Sequence, residues 1–117
     1  MLDKRQLGQY YEALACRTLC SNGLKLIAKN SQSRLGEIDL VMQDQGCLVF
    51  VEVRYRKNDL FGNATSTITR AKQIKIIHAA YHWMFQQDIN SELCEFRFDI
   101  FTFTGKDWQW IKNAFSL

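Results

Sequence analysis

The 117 residues are the size of one domain (1–117), and a 47% hydrophobic, 13% aromatic composition excludes a disordered chain. The net charge of +3 is too small to name a partner by itself. No apolar run approaches the roughly 18 residues that cross a membrane, so no membrane partner is expected. Met1-Leu2-Asp3-Lys4-Arg5 opens no signal peptide, and Cys16, Cys20, Cys47 and Cys94 form no dense disulfide framework, so reduced thiols in a cytoplasmic protein are expected.

Leu7, Tyr10, Tyr11, Leu14, Ala15, Thr18 and Leu19 recur at the spacing of one helix face, and Asn22-Gly23 is a natural stop. Leu24 to Ser31 reads as a short strand, followed by a turn at Ser33-Arg34-Leu35-Gly36. Glu37 to Gln43 alternates, with Ile38, Leu40 and Met42 on one side and Glu37 and Asp39 on the other. After Asp44-Gln45-Gly46, Cys47 to Arg54 is rich in β-branched and aromatic residues and reads as a central strand. Lys57 to Ser66 is a loop. Thr67 to Gln87 is a second helix, capped by Thr67 or Thr69, with a buried stripe of Ile74, Ile77, Tyr81, Met84 and Phe85. Glu92 to Thr104 is a strand with Phe96, Phe98 and Ile100 inward, and Gly105-Lys106-Asp107 turns into a last strand from Trp108 to Lys112. The order helix, three strands, helix, two strands predicts an α/β (α+β) fold with a mixed sheet and helices packed on it.

The hairpin between the second and third strands carries the main chemical signal. If Gln45-Gly46 is a two-residue loop, paired residues have numbers that sum to 91, which sets Asp39 opposite Glu52 and Glu37 opposite Arg54. A three-residue loop with Gly46 as a bulge competes. The first register is preferred because it keeps the charges off the face that holds Ile38, Leu40, Val51 and Val53. Two facing carboxylates repel, by about 0.2–1 kcal/mol when exposed and more when buried. A bridging divalent cation, a shared proton or flanking arginines would offset that. Mg²⁺ or Mn²⁺ suits such a pair, since Mg²⁺ takes one or two carboxylates plus water and phosphate oxygens. The bland alternative is a solvated sheet face with Glu37–Arg54 and Glu52–Arg54 ion pairs. Arg54, Arg56, Lys57, Arg70, Lys72 and Lys75 fall within twenty-two residues that hold one acid, Asp59, and would suit a polyanion or simply a solvated face.

Gly36-Glu37-Ile38-Asp39-Leu40, a gap of eleven, then Glu52-Val53-Arg54 followed by Arg56, resembles the signature of the YraN family of small bacterial proteins. Gly8, Glu12, Ala13, Asn30, Phe61-Gly62, Lys72 and Arg97-Phe98-Asp99 extend the likeness over most of the chain. The resemblance implies a restriction-endonuclease-like fold of the PD-(D/E)XK type, in which Asp39 and Glu52 hold Mg²⁺ or Mn²⁺. Glu12 resembles the extra acid of Holliday-junction resolvase-like members. The motif's lysine falls on Arg54, which stays protonated and cannot serve as a base. Lys72 on the second helix would supply the missing ammonium.

The resemblance therefore implies a metal-dependent nuclease acting on DNA or a branched DNA structure. Asp39, Glu52, Arg54 and Lys72 form its catalytic set, Asp39, Glu52 and Glu12 bind the metal, and Arg56, Lys57, Arg70 and Lys75 track the nucleic-acid backbone. The alternatives are a nuclease-fold module that binds nucleic acid without turnover and a structural or interaction protein. Many nucleases of this fold act as dimers, which allows a homodimer, although no seam is evident in the sequence.

Other residues carry weaker signals. Cys16 and Cys20 with His78 and His82 would make a zinc site if the two helices packed suitably, but buried thiols and surface imidazoles are the simpler reading. Trp83, Trp108, Trp110 and Tyr55 could stack on bases but read more simply as packing residues. Thr65, Ser66, Thr67 and Thr69 read as turn and cap residues.

Overall fold

A computed structural model describes residues 2–57 and 68–117. The elements run α1 (Lys4–Ser21), β1 (Lys25–Ser33), β2 (Gly36–Asp44), β3 (Cys47–Arg56), α2 (Arg70–Gln86), β4 (Glu95–Thr104) and β5 (Asp107–Phe115). Each helix begins at a side-chain cap. Asp3 accepts the Gln6 N–H and the Gln6 side chain returns the bond, closing a capping box on α1. Thr69 Oγ1 accepts the Lys72 N–H on α2. Of the two expected caps it is Thr69 that serves, and α2 begins at Arg70, three residues after the expected start. Phe61-Gly62, the expected loop beyond Lys57, and Thr65, Ser66 and Thr67 lie outside the described residues.

The strands form one five-stranded sheet in the order β1-β2-β3-β4-β5. All neighbours are antiparallel except β3 and β4, which run parallel over ten residue pairs from Cys47–Glu95 to Arg56–Thr104. A parallel pair needs a long crossover, and α2 lies in it. β4 starts at Glu95, later than expected, because Asn90 Oδ1 accepts the Glu92 N–H in a turn that occupies the residues before it.

The helices cover opposite faces of the sheet. Ala15 and Leu19 of α1 pack with Leu40, Met42, Val49, Val51, Phe101 and Phe103. Ile76, Ile77, Ala80, Trp83 and Met84 of α2 pack with Val41, Leu48, Phe50, Phe98 and Ile100 on the other side. This three-layer arrangement explains why β3 is apolar at successive positions rather than alternating. It also corrects the expected stripe of α2. Ile77 and Met84 are buried, but Ile74, Tyr81 and Phe85 face outward, and Phe85 is 79% exposed. The helix is apolar over more than half its circumference, and it presents the side with alanines. Ala79 and Ala80 allow it to lie close to β2, where a Cβ on Gly36 would come within 3.0 Å of the Lys75 carbonyl oxygen. Glycine is required at that contact, and its φ of +150° also disfavours a side chain.

The β2–β3 hairpin has the two-residue loop Gln45-Gly46, with Gln45 at φ 56°, and its pairs run from Asp44–Cys47 to Leu40–Val51, all summing to 91. The reason for the register differs from the expected one. Neither face of the sheet is polar, and Ile38 and Leu40 do not share a face. Ile38 packs on the α2 side, whereas Leu40 packs on the α1 side. In a regular strand, residues two apart point the same way. The switch falls at Asp39, opposite Asn30 on β1, which takes a left-handed φ of 54°. Among the described residues no helix is long and apolar enough to cross a membrane.

Candidate functional site

The ladder between β2 and β3 ends at Leu40–Val51. At the next position the Asp39 side chain replaces backbone pairing, and its Oδ2 accepts the Val53 N–H at 2.8 Å. A backbone N–H lies in the plane of its sheet, so the carboxylate that reaches it sits in the seam between the strands. Asp39 can therefore meet side chains from both faces.

It does so. Glu52 follows Leu48 and Phe50 on the α2 side of β3 and is only 6% exposed. Burial pushes its carboxyl up to about 9, and the Asp39 charge and a hydrogen bond to Asp39 add to the effect, while the charges of Lys72 and Arg54 oppose it. Glu12, half-buried on α1, is pushed up to about 7, first by burial, then by the charge and hydrogen bond of Asp39 and by Glu37. The Asn30 amide beside Glu12 counters part of that rise. Three acids thus form a chain, Glu12 to Asp39 to Glu52, that threads the seam from one face of the sheet to the other. Among the described residues no group of three or more His, Cys, Asp or Glu side chains is placed to hold a metal ion. An open chain of hard oxygen donors is still compatible with Mg²⁺ or Mn²⁺, because Mg²⁺ keeps several waters and takes few carboxylates.

The cations are arranged unevenly. Lys72 and Arg54, both half-buried, lower the Glu52 carboxyl, but neither forms an ion pair with it. Among the described residues the ion pairs are Arg97–Asp44 and Arg97–Asp99, so the Glu37–Arg54 and Glu52–Arg54 pairs of the solvated-face reading are absent. The Arg54 Nε–H is buried with no partner among the described residues. Arg56, Lys57 and Lys75 are exposed. Arg70 is exposed as well, but it donates to the Ser116 carbonyl at 2.7 Å and to Gln73 Oε1 at 3.0 Å, which ties it to the end of the chain.

Several other sequence signals resolve as packing. Cys16 and Cys20 lie on α1 and His78 and His82 on α2, across the sheet from each other, which rules out a shared zinc site. All four cysteines are free thiols. Tyr55 stacks on Tyr11 at 4.1 Å and joins β3 to α1. Trp83 is buried in the core, Trp108 stacks on Phe101, and Trp110 donates to Asp99. Two contributors escaped the sequence reading, Asn30 as a partner of Glu12 and the Val53 N–H as the anchor of Asp39. An asparagine tolerates a left-handed backbone better than most residues, which is the signal at Asn30. A backbone donor leaves no trace in the sequence.

Fold and site together define a small mixed α+β domain, consistent with a restriction-endonuclease-like core, with a carboxylate centre in the seam of its hairpin. The profile of the family described as "Uncharacterised protein family UPF0102" matches residues 11–103. The UPF0102 protein YraN of Salmonella newport (strain SL254) is 44% identical over 115 residues, covering 98% of this chain and 88% of the relative. The YraN proteins of Salmonella heidelberg (strain SL476) and Salmonella typhimurium (strain LT2) match to the same extent. The chain belongs to the UPF0102, or YraN, family.

Proposed function

We infer that this protein is a metal-dependent phosphodiesterase that acts on DNA. The observation that carries the reading is Glu52, a buried carboxyl set against a second acid, Asp39, with no cation at ion-pair distance among the described residues. Asp39 and Glu52 would hold Mg²⁺ or Mn²⁺, with Glu12 as a third acid. A bound metal of this kind polarises a phosphoryl group and activates water. The chain's own residues do the rest. The Val53 N–H fixes the Asp39 carboxylate in the seam. Lys72 brings positive charge to Glu52 from α2 and would orient a phosphate or the attacking water. Arg54, always protonated, would stabilise developing negative charge rather than abstract a proton. Arg56, Lys57 and Lys75 offer exposed positive charge to a backbone.

The test is cleavage of duplex, single-stranded and branched DNA in Mg²⁺ and in Mn²⁺, together with calorimetric titration of Mn²⁺. Asp39→Ala is expected to abolish both cleavage and metal uptake. Equal cleavage by the wild type and Asp39→Ala would rule out this centre. A second reading, a nuclease-fold module that binds without turnover, is favoured by Arg54 at the lysine position. It predicts salt-dependent binding with no cleavage, and Arg54→Lys separates it from the first.

A further inference from the structure

Next to the acids is a cavity of about 570 Å³ that the metal reading leaves unused. One wall is α1, where Lys4, Gly8 and Glu12 recur every four residues on one face and Arg5 flanks them. The other is β1, which presents the amides of Asn30 and Gln32. Gly8 is the odd residue of this wall. Glycine is among the poorest helix formers, yet Gly8 lies inside α1, and a Cβ there would meet nothing within 4 Å. No packing contact among the described residues accounts for it, and the side it leaves bare faces the cavity. Bare helix backbone permits the close approach of a ligand's own backbone.

The charges along the cavity are ordered. Lys4 and Arg5 stand at one end and Glu12, beside Glu37, at the other, about 12 Å further along the helix. A small free anion would meet both acids and gain little. An extended polyanion can place one phosphate at the basic end and another at the acidic centre, about 12 Å away.

We propose that this cavity seats the phosphodiester backbone of the strand that enters the acidic centre, with Lys4 and Arg5 binding a phosphate and Gly8 letting the backbone lie against α1. The proposal rests on the phosphodiesterase reading, and its test separates the two. Binding is read by fluorescence anisotropy with a labelled DNA duplex, its single strand and an RNA strand of the same sequence, in Ca²⁺ and over a range of KCl. The double variant Lys4→Gln/Arg5→Gln is expected to bind about fivefold to tenfold more weakly and to reduce the slope of log K against log salt by about 1 to 2, as for one or two lost phosphate contacts. Gly8→Ala is expected to raise Tm by about 4 °C through helix propensity and yet to weaken binding several-fold. A wild type that binds, with an unchanged salt slope in the double variant or unchanged affinity in Gly8→Ala, overturns the proposal and leaves the acidic centre standing. Mn²⁺ titration, expected to be unchanged in both variants, tests that centre separately. A wild type that binds none of the three nucleic acids overturns both readings.

Discussion

Two carboxylates are buried in the described part of this molecule, Asp99 on β4 and Glu52 on the adjacent β3, and their surroundings differ. Asp99 is fully buried. It accepts from Arg97 Nε at 3.0 Å and Nη2 at 3.2 Å, from Trp110 Nε1 at 2.9 Å and from the Asn113 N–H at 2.9 Å. Arg97 goes on to Asp44. A register shift of β5 between Phe98 and Ile100 brings the Asn113 N–H to it. Four donors of its own chain thus meet the Asp99 carboxylate. Around Glu52, burial and Asp39 both disfavour charge, and Lys72 and Arg54 only moderate the effect. A charge completed by its own chain serves the fold. An acid that its own chain leaves incomplete costs stability, and such a site is compatible with the binding of an external partner.

Breaking the satisfied site gives the largest effect. Asp99→Ala leaves Arg97 partly buried without its main partner, and chemical denaturation is expected to show a loss of about 3–5 kcal/mol. Mn²⁺ affinity is then expected to be unchanged in whatever fraction remains folded. The matching change at the other site runs the opposite way. Glu52→Gln removes the repulsion with Asp39, so the metal-free protein is expected to gain roughly 1 kcal/mol at alkaline pH. The same variant should lose Mn²⁺ affinity by more than about tenfold. A large destabilisation from Glu52→Gln would make Glu52 a second structural acid and erase the contrast.

The dependence on pH has a specific sign. Glu12 and Glu52 have carboxyls raised from 4.5 to about 7 and about 9 in the folded protein. A raised carboxyl contributes stability that is fully present below the unfolded value and is lost as pH rises through the folded one. The metal-free protein should therefore lose Tm progressively between about pH 4.5 and 9. Mn²⁺ competes with those protons, so it should restore Tm at the alkaline end and do little at the acid end. A thermal scan of Glu52→Gln that flattens the upper part of the curve would assign the trend to Glu52.

Much of this was legible in the sequence because it is local. Both helices, all five strands and the Gln45-Gly46 register follow from alternation, cap residues and the length of one loop. The proximity of Asp39 and Glu52 follows from that register, which the loop length sets, and not from a polar sheet face, since both faces are covered by helices. The α2 stripe was misread because a helix apolar on most sides does not say which side is inward. That choice fell to the close fit of Lys75 and Ala79 against β2 at Gly36.

The facing of two acids across a hairpin was thus determined by the sequence alone, since a two-residue loop and a period of two leave little freedom. Only the tertiary structure decided what the acids face. It covered both sides of the sheet, turned Asp39 into the seam through the Val53 N–H, brought Glu12 from a helix on one face and Lys72 from a helix on the other, and opened the cavity beside Gly8. Each of these joins residues far apart in the chain, and their placement depends on packing between layers, which no local pattern encodes.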